Sequence, residues 1–126
     1  GKIASYADVP DIALDLIEVA DKPTTIIYPG AKRLAPNLIA EDGTIGIRIT
    51  REEFTRSLIF RYNKPIVSTS ANISGEPSPH FFGEISEEIK NAVDYIVDYR
   101  RNDHKPAAPS SIIKLGMGGE IQIIRK

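Results

Sequence analysis

Three stretches of the chain carry residue types suited to holding an anion. The first is Thr44-Ile45-Gly46-Ile47-Arg48-Ile49. Its strict alternation predicts a strand with Ile45, Ile47 and Ile49 on one side and Thr44, Gly46 and Arg48 on the other. A glycine inside a strand marks a place where something approaches closely. An arginine two residues on offers a planar fork for carboxylate or phosphate. A solvent-facing strand with an ordinary surface arginine is the plainer alternative. The second stretch runs from Ser68 to Pro79 and packs Ser68, Thr69, Ser70, Asn72, Ser74 and Ser78 around Gly75. Hydroxyls, an amide and the N–H groups of tight turns can hold phosphate without net charge. The same composition also serves a loop that merely turns the chain. The third is Pro109-Ser110-Ser111-Ile112-Ile113, where the hydroxyls either cap or bind. Arg125 follows near the end, where alternation sets it with Ile121 and Ile123. Either the alternation breaks there or the cation has a partner, because an unpaired buried guanidinium is costly.

Other chemistries find little support. With no cysteine and two histidines, disulfides, thiolate chemistry and cysteine-based zinc sites are excluded, and the default location is the cytoplasm. His80 and His104 fall into no Ser-His-Asp arrangement. The sequence has no P-loop, no dinucleotide glycine fingerprint and no acidic cluster at metal-ligand spacing. Lys32-Arg33 and Arg100-Arg101 read as solvated pairs. Sixteen Lys and Arg against seventeen Asp and Glu leave a net charge of −1, which gives no global pull on nucleic acid or anionic lipid. No stretch approaches a bilayer span, and the first residues lack a signal-peptide pattern.

The 126 residues, 41% hydrophobic and 26% charged, predict one globular domain. Spacing predicts a helix over 8–20 with Val9, Ile12, Ala13, Leu16, Ile17 and Ala20 inward and Asp8 as cap. A strand follows at 24–28, then a short helix within 32–40 weakened by Pro36. After the strand at 44–49, Thr50 and Glu53 form a capping box for a helix over 51–62, with Phe54, Leu58, Ile59 and Tyr62 buried. Strands are expected at 64–67, 94–98, 110–115 and 121–125, and a short helix from Ser86. Alternating elements early and strands late imply a mixed α/β sheet with an antiparallel finish. The chain opens on a helix without a preceding strand, which suggests a piece of something longer.

Five ordered segments then resemble a known family. They are Pro23-Thr24-Thr25-Ile26-Ile27, Thr44 to Ile49, Pro65 to Pro79 with its Ser70-Ala71-Asn72-Ile73-Ser74-Gly75 core, Pro109 to Ile113, and Ile123-Ile124-Arg125. Together they resemble the YrdC-like threonylcarbamoyl-AMP synthases over nearly the whole chain. The resemblance implies a twisted mixed parallel/antiparallel α/β sheet with flanking helices, residues 1–126 forming the C-terminal portion of one YrdC-like domain. It implies a nucleotidyltransferase joining L-threonine, bicarbonate and ATP into threonylcarbamoyl-AMP and pyrophosphate, for threonylcarbamoyladenosine in tRNA. By the same resemblance Thr44, Ser70, Ser78 and Arg125 contact ATP. Arg48, Ser68 and Ser110 surround threonine, and Asn72 shapes the loop. Magnesium would arrive on the nucleotide; no protein nucleophile is needed.

The family's earlier segment with its Lys-x-Arg motif is absent from this sequence. The expectation is therefore a fragment that is inactive alone. Partners implied are tRNA or a tRNA-modifying transferase complex, and self-association through an open sheet edge. The alternative is a YrdC-like module that binds RNA or nucleotide without catalysis.

Overall fold

A computed structural model describes residues 2–126. Their contacts divide them into two compact units, residues up to Tyr62 with Pro109–Lys126, and Asn63–Ala108. The first unit holds α1 (Asp11–Val19), β1 (Thr24–Tyr28), β2 (Ile45–Arg48), α2 (Glu53–Tyr62), β3 (Ser111–Leu115) and β4 (Ile121–Arg125). The sheet order is β2-β1-β3-β4, with β1 and β3 parallel and both outer pairs antiparallel. This is the mixed α/β sheet expected from the sequence.

Residues paired across strands point to one face, so the registers sort the sheet into two sides. Ile26, Tyr28 and Leu115 lie on one side, buried with Ala7 and Ala13. Val9, Ile12, Leu16, Ile17, Ile45, Ile47 and Ile113 pack around them. The apolar stripe predicted for the first helix thus meets the isoleucines predicted for β2. Fully burying each such side chain contributes roughly 1.5–3 kcal/mol. Arg51 fastens the end of α1 by donating to Ala20 O and Ile17 O, both at 2.7 Å. A cation on the last carbonyls complements the helix dipole.

Several local expectations give way to tertiary structure. Pro10 occupies the N-cap of α1, and no side chain caps it. Asp8 instead lies against Gly30 and Lys32, its carboxylate 3.9 Å from Lys32 Nζ. The region 32–40 forms only a 3₁₀ turn at Pro36–Leu38. Thr50 and Glu53 do not form the capping box; Glu52 accepts from the backbone N–H groups of Phe54 and Thr55 at 3.1 and 2.7 Å. Nor is the α2 stripe buried: Phe54, Leu58 and Tyr62 are exposed and Ile59 half-buried. In this unit the core-facing side of the sheet is served by α1, and α2 makes no comparable packing against it.

The second unit contains a 3₁₀ turn (Phe82–Glu84) and α3 (Glu87–Ala92), capped by Ser86 accepting from Ile89 N–H at 3.3 Å. The strands expected at 64–67 and 94–98 are absent. Their apolar residues, Ile66, Val67, Tyr95 and Val97 among them, are exposed, and no described strand pairs with them. β-propensity without a ladder partner does not make a strand. Local order comes from polar and ring contacts: Lys90 and Arg101 lie 4.7 and 5.3 Å over the Phe82 ring. Arg101 also donates to Ile96 O at 2.8 Å. Among the described residues, no helix is long and apolar enough to cross a membrane.

Gly30 and Gly43 both adopt positive φ, +65° and +79°. A Cβ at Gly30 would overlap the Asp8 carboxylate, whereas one at Gly43 meets nothing within 4 Å. Each alanine should cost about 1 kcal/mol for the left-handed backbone. Gly30→Ala should cost clearly more, with Gly30→Ala in an Asp8→Ala background returning to the Gly43→Ala value. Urea unfolding of the variants measures this.

Candidate anion-binding site

The second face of the sheet is the chemically interesting one. Thr25 pairs with Arg48 on β2 and with Ile112 on β3, and Ile112 pairs with Arg125 on β4. Arg48, Thr25, Ile112 and Arg125 therefore form one row across all four strands. With strands about 4.8 Å apart, the two arginine backbones stand roughly 14 Å apart. Both guanidinium groups belong to the face opposite Tyr28 and Leu115.

Arg125 reaches this face through an irregularity. Ile123 pairs with Ile113, but Ile112 pairs with Arg125, leaving Ile124 as an extra residue. Without that β-bulge, regular pairing would set Arg125 opposite Ser111, which is buried on the core side. One inserted residue moves the side chain to the other face. Both possibilities left open by the sequence are realised: the alternation breaks, and the cation finds a partner. Arg125 Nε donates to Ser110 O at 2.7 Å, and Nη2 lies 3.4 Å from Ser110 Oγ. Ser110 Oγ in turn shares a 2.7 Å hydrogen bond with Thr25 Oγ1. Adjacent Ser111 turns inward, its hydroxyl buried without a partner. The two serines thus divide between the faces.

A second polar group lies farther along the same face. Lys114 Nζ and Asp42 Oδ2 are 2.6 Å apart, and Thr44 Oγ1 donates to Asp42 Oδ1, also at 2.6 Å. Hydrogen bonding from Lys114, then from Thr44, pulls the Asp42 carboxyl down from 3.8 to about 2. The Thr44 hydroxyl proton is committed to Asp42, so toward a ligand this oxygen can act only as an acceptor. Between the two groups Gly46 leaves open backbone, and a Cβ there would sit 3.3 Å from Thr25 Cγ2. What approaches this glycine closely is the methyl of Thr25.

The serine-rich loop belongs to the second unit. Asn72 Nδ2 donates to Ile73 O at 3.1 Å and to Glu76 O at 3.0 Å, holding a turn in which Gly75 has φ +88°. Ser78 Oγ donates weakly to Asn72 Oδ1 at 3.4 Å. Ser68 and Ser70 are exposed. His80 Nδ1 lies 3.0 Å from Glu84 Oε1 and His104 stacks edge-on against Phe81, so both histidines have local structural contacts.

Of the residues singled out by sequence, Thr44, Arg48, Ser110 and Arg125 share one sheet unit; Arg48 and Arg125 lie in one row, and Ser110 is hydrogen-bonded to that row. Ser68, Ser70, Asn72 and Ser78 sit together in the other unit. Thr25 was missed as a site residue. A hydroxyl alternating with isoleucines was the available signal, but its partner is 85 positions away.

The fold and this face define an α/β protein whose mixed sheet carries two arginines and several hydroxyls on one side. The family model described as telomere recombination, that of Sua5, YciO and YrdC, matches residues 1–126. The chain belongs to the Sua5/YciO/YrdC family. A Methanocaldococcus jannaschii protein provisionally named threonylcarbamoyl-AMP synthase is 40% identical over 115 residues, covering 90% of this chain and 52% of that protein. The threonylcarbamoyl-AMP synthase of Pseudoalteromonas translucida is 27% identical over 125 residues, covering 96% of this chain and 65% of its own length. The chain therefore spans about half to two thirds of these curated relatives. Among solved structures, the crystal structure of E. coli YciO superposes with a TM-score of 0.68 at 23% identity, covering 99% of this chain and 60% of that one. That likeness bears on the fold.

Because the Asp42 pKa is depressed, its link to Lys114 and Thr44 stabilises the fold fully above about pH 3.8 and loses that contribution as pH falls through about 2. Carboxyl-carbon NMR titration should give Asp42 a midpoint near 2, and Lys114→Met should raise it toward 3.8. A midpoint unmoved by that substitution would remove Lys114 as the leading cause.

Proposed function

We propose that the protein carrying this sequence is an L-threonylcarbamoyladenylate synthase acting in tRNA threonylcarbamoyladenosine formation. The observation that carries the reading is the row of Arg48, Thr25 and Arg125 with Ser110 on one sheet face, in a family whose matched relatives bear that enzyme's name. The amine of threonine attacks the carbon derived from bicarbonate, with loss of water. The resulting carbamate oxygen attacks the α-phosphorus of ATP, and pyrophosphate leaves. ATP and bicarbonate are anions and threonine carries a carboxylate, so the protein's work is to hold and orient charge.

In this reading Arg48 receives the threonine carboxylate in its fork, with Ser110 as a further threonine contact, and Arg125 holds phosphate oxygens of ATP. For the second unit, taken by itself, the reading assigns Ser70 and Ser78 to the nucleotide and Ser68 to threonine. Thr44 accepts from a ribose hydroxyl or an amino group of ATP, because its own proton goes to Asp42. Magnesium comes with the nucleotide as part of the substrate. The setting is cytoplasmic. Partners are tRNA or the transferase that uses the adenylate, and a second copy paired along the exposed edge strand β4.

In the full-length protein pyrophosphate release should require ATP, threonine and bicarbonate together, and residues 1–126 alone should show little or none. Nucleotide or RNA binding with no turnover would instead assign a non-catalytic module. Arg48→Ala should raise the threonine KM at least about tenfold, the loss expected for a hydrogen-bonded charge pair. Ser70→Ala should weaken ATP more than threonine, and equal losses would mean the hydroxyls are misassigned.

A further inference from the structure

We propose that Thr25 is a positioning residue for the anion-binding row, setting Ser110 and through it Arg125, without touching substrate itself. The inference rests on the synthase reading above and adds to it a residue with no assigned role.

Three observations meet at this side chain. Its hydroxyl is 2.7 Å from Ser110 Oγ. The same serine receives Arg125 at its carbonyl oxygen, 2.7 Å from Nε, and faces Nη2 with its hydroxyl at 3.4 Å. Its methyl lies over Gly46, where even one added carbon would come within 3.3 Å. Threonine branches at Cβ, so placing the methyl toward β2 turns the hydroxyl toward β3. The rotamer is thus fixed from one side by the absence of a side chain on Gly46 and from the other by the serine.

The consequence concerns Ser110, which stands just before β3, where the residue is not yet held by the ladder on both sides. Its first ladder-side anchor is Ser111 N–H donating to Pro23 O at 3.0 Å. The side-chain bond from Thr25 is a second anchor, on the ligand-facing side. With it, Ser110 presents a fixed carbonyl to Arg125 and a hydroxyl with a defined direction to the ligand. Without it, the serine rotor is free and Arg125 keeps only its backbone acceptor. Arg48 pairs with Thr25 by backbone register, which does not depend on the hydroxyl.

The test uses Thr25→Val, nearly isosteric and at home in a strand, with Thr25→Ser as the conservative variant. Two readouts are taken on the full-length protein: solvent exchange of the Arg125 Nε proton by NMR, and steady-state kinetics of pyrophosphate release. Thr25→Val should speed that exchange several-fold and raise the threonine KM about tenfold, roughly one hydrogen bond. It should raise the ATP KM less and leave kcat within about twofold. Thr25→Ser should restore all three. Unchanged exchange and unchanged KM values, with Ser110→Ala still raising the threonine KM, would overturn the positioning role and leave the synthase reading standing. A fall in kcat or thermal stability that the serine variant does not rescue, with KM unmoved, would also overturn it. A parent protein with no threonine-dependent turnover would retire the synthase reading and this inference with it, even if exchange responds.

Discussion

The parallel ladder between β1 and β3 is the constraint on which the site depends. It places Thr25 beside Ile112 and brings Ser110 within hydrogen-bonding reach of a residue far earlier in the chain. Everything else on that face hangs from it. β2 pairs with β1 on one side and contributes Arg48; β4 pairs with β3 on the other and contributes Arg125. A slip of one residue in the central pair would send Thr25 and its neighbours to opposite faces and dissolve the row.

The two faces are specialised by elementary burial chemistry. The inner one collects Ile26, Tyr28, Leu115 and the stripe of α1, where leaving water is favourable. Its polar passengers, the Tyr28 and Ser111 hydroxyls, are buried without partners, and burial pushes the Tyr28 pKa up. The outer face carries the charges that could not be placed inside without a large desolvation cost. Lys114 is answered there by Asp42, and Arg125 by the carbonyl of Ser110. A basic face can thus exist in a chain of net charge −1, because charge balance over the whole sequence says little about where the charges stand.

The β-bulge at Ile124 shows how a small departure from regularity redirects a side chain. Strict alternation predicts an arginine on the side of Ile121 and Ile123, both of them exposed in this strand. The extra residue puts the guanidinium on the opposite face, beside Ser110. A similar economy appears at Gly46, whose missing side chain makes room for a threonine methyl from the neighbouring strand.

Local pattern was sufficient for β1, the strand around Gly46 and α1, because alternation and helical spacing there reflect burial on one side; the final hairpin was legible too, although β4 is exposed along its length. The ordered motifs were sufficient for the family. Pattern failed at 64–67 and 94–98, where apolar alternation found no strand to pair with, and at α2, whose stripe met no core. Which face Arg125 occupies, that Glu52 rather than Thr50 caps α2, and that Thr25 joins Ser110 were decided only by tertiary structure. Each depends on pairing or packing between residues whose meeting is not encoded in their own spacing: a register, a cap competing with its neighbour, and a hydrogen bond closed by the chain's return to β1.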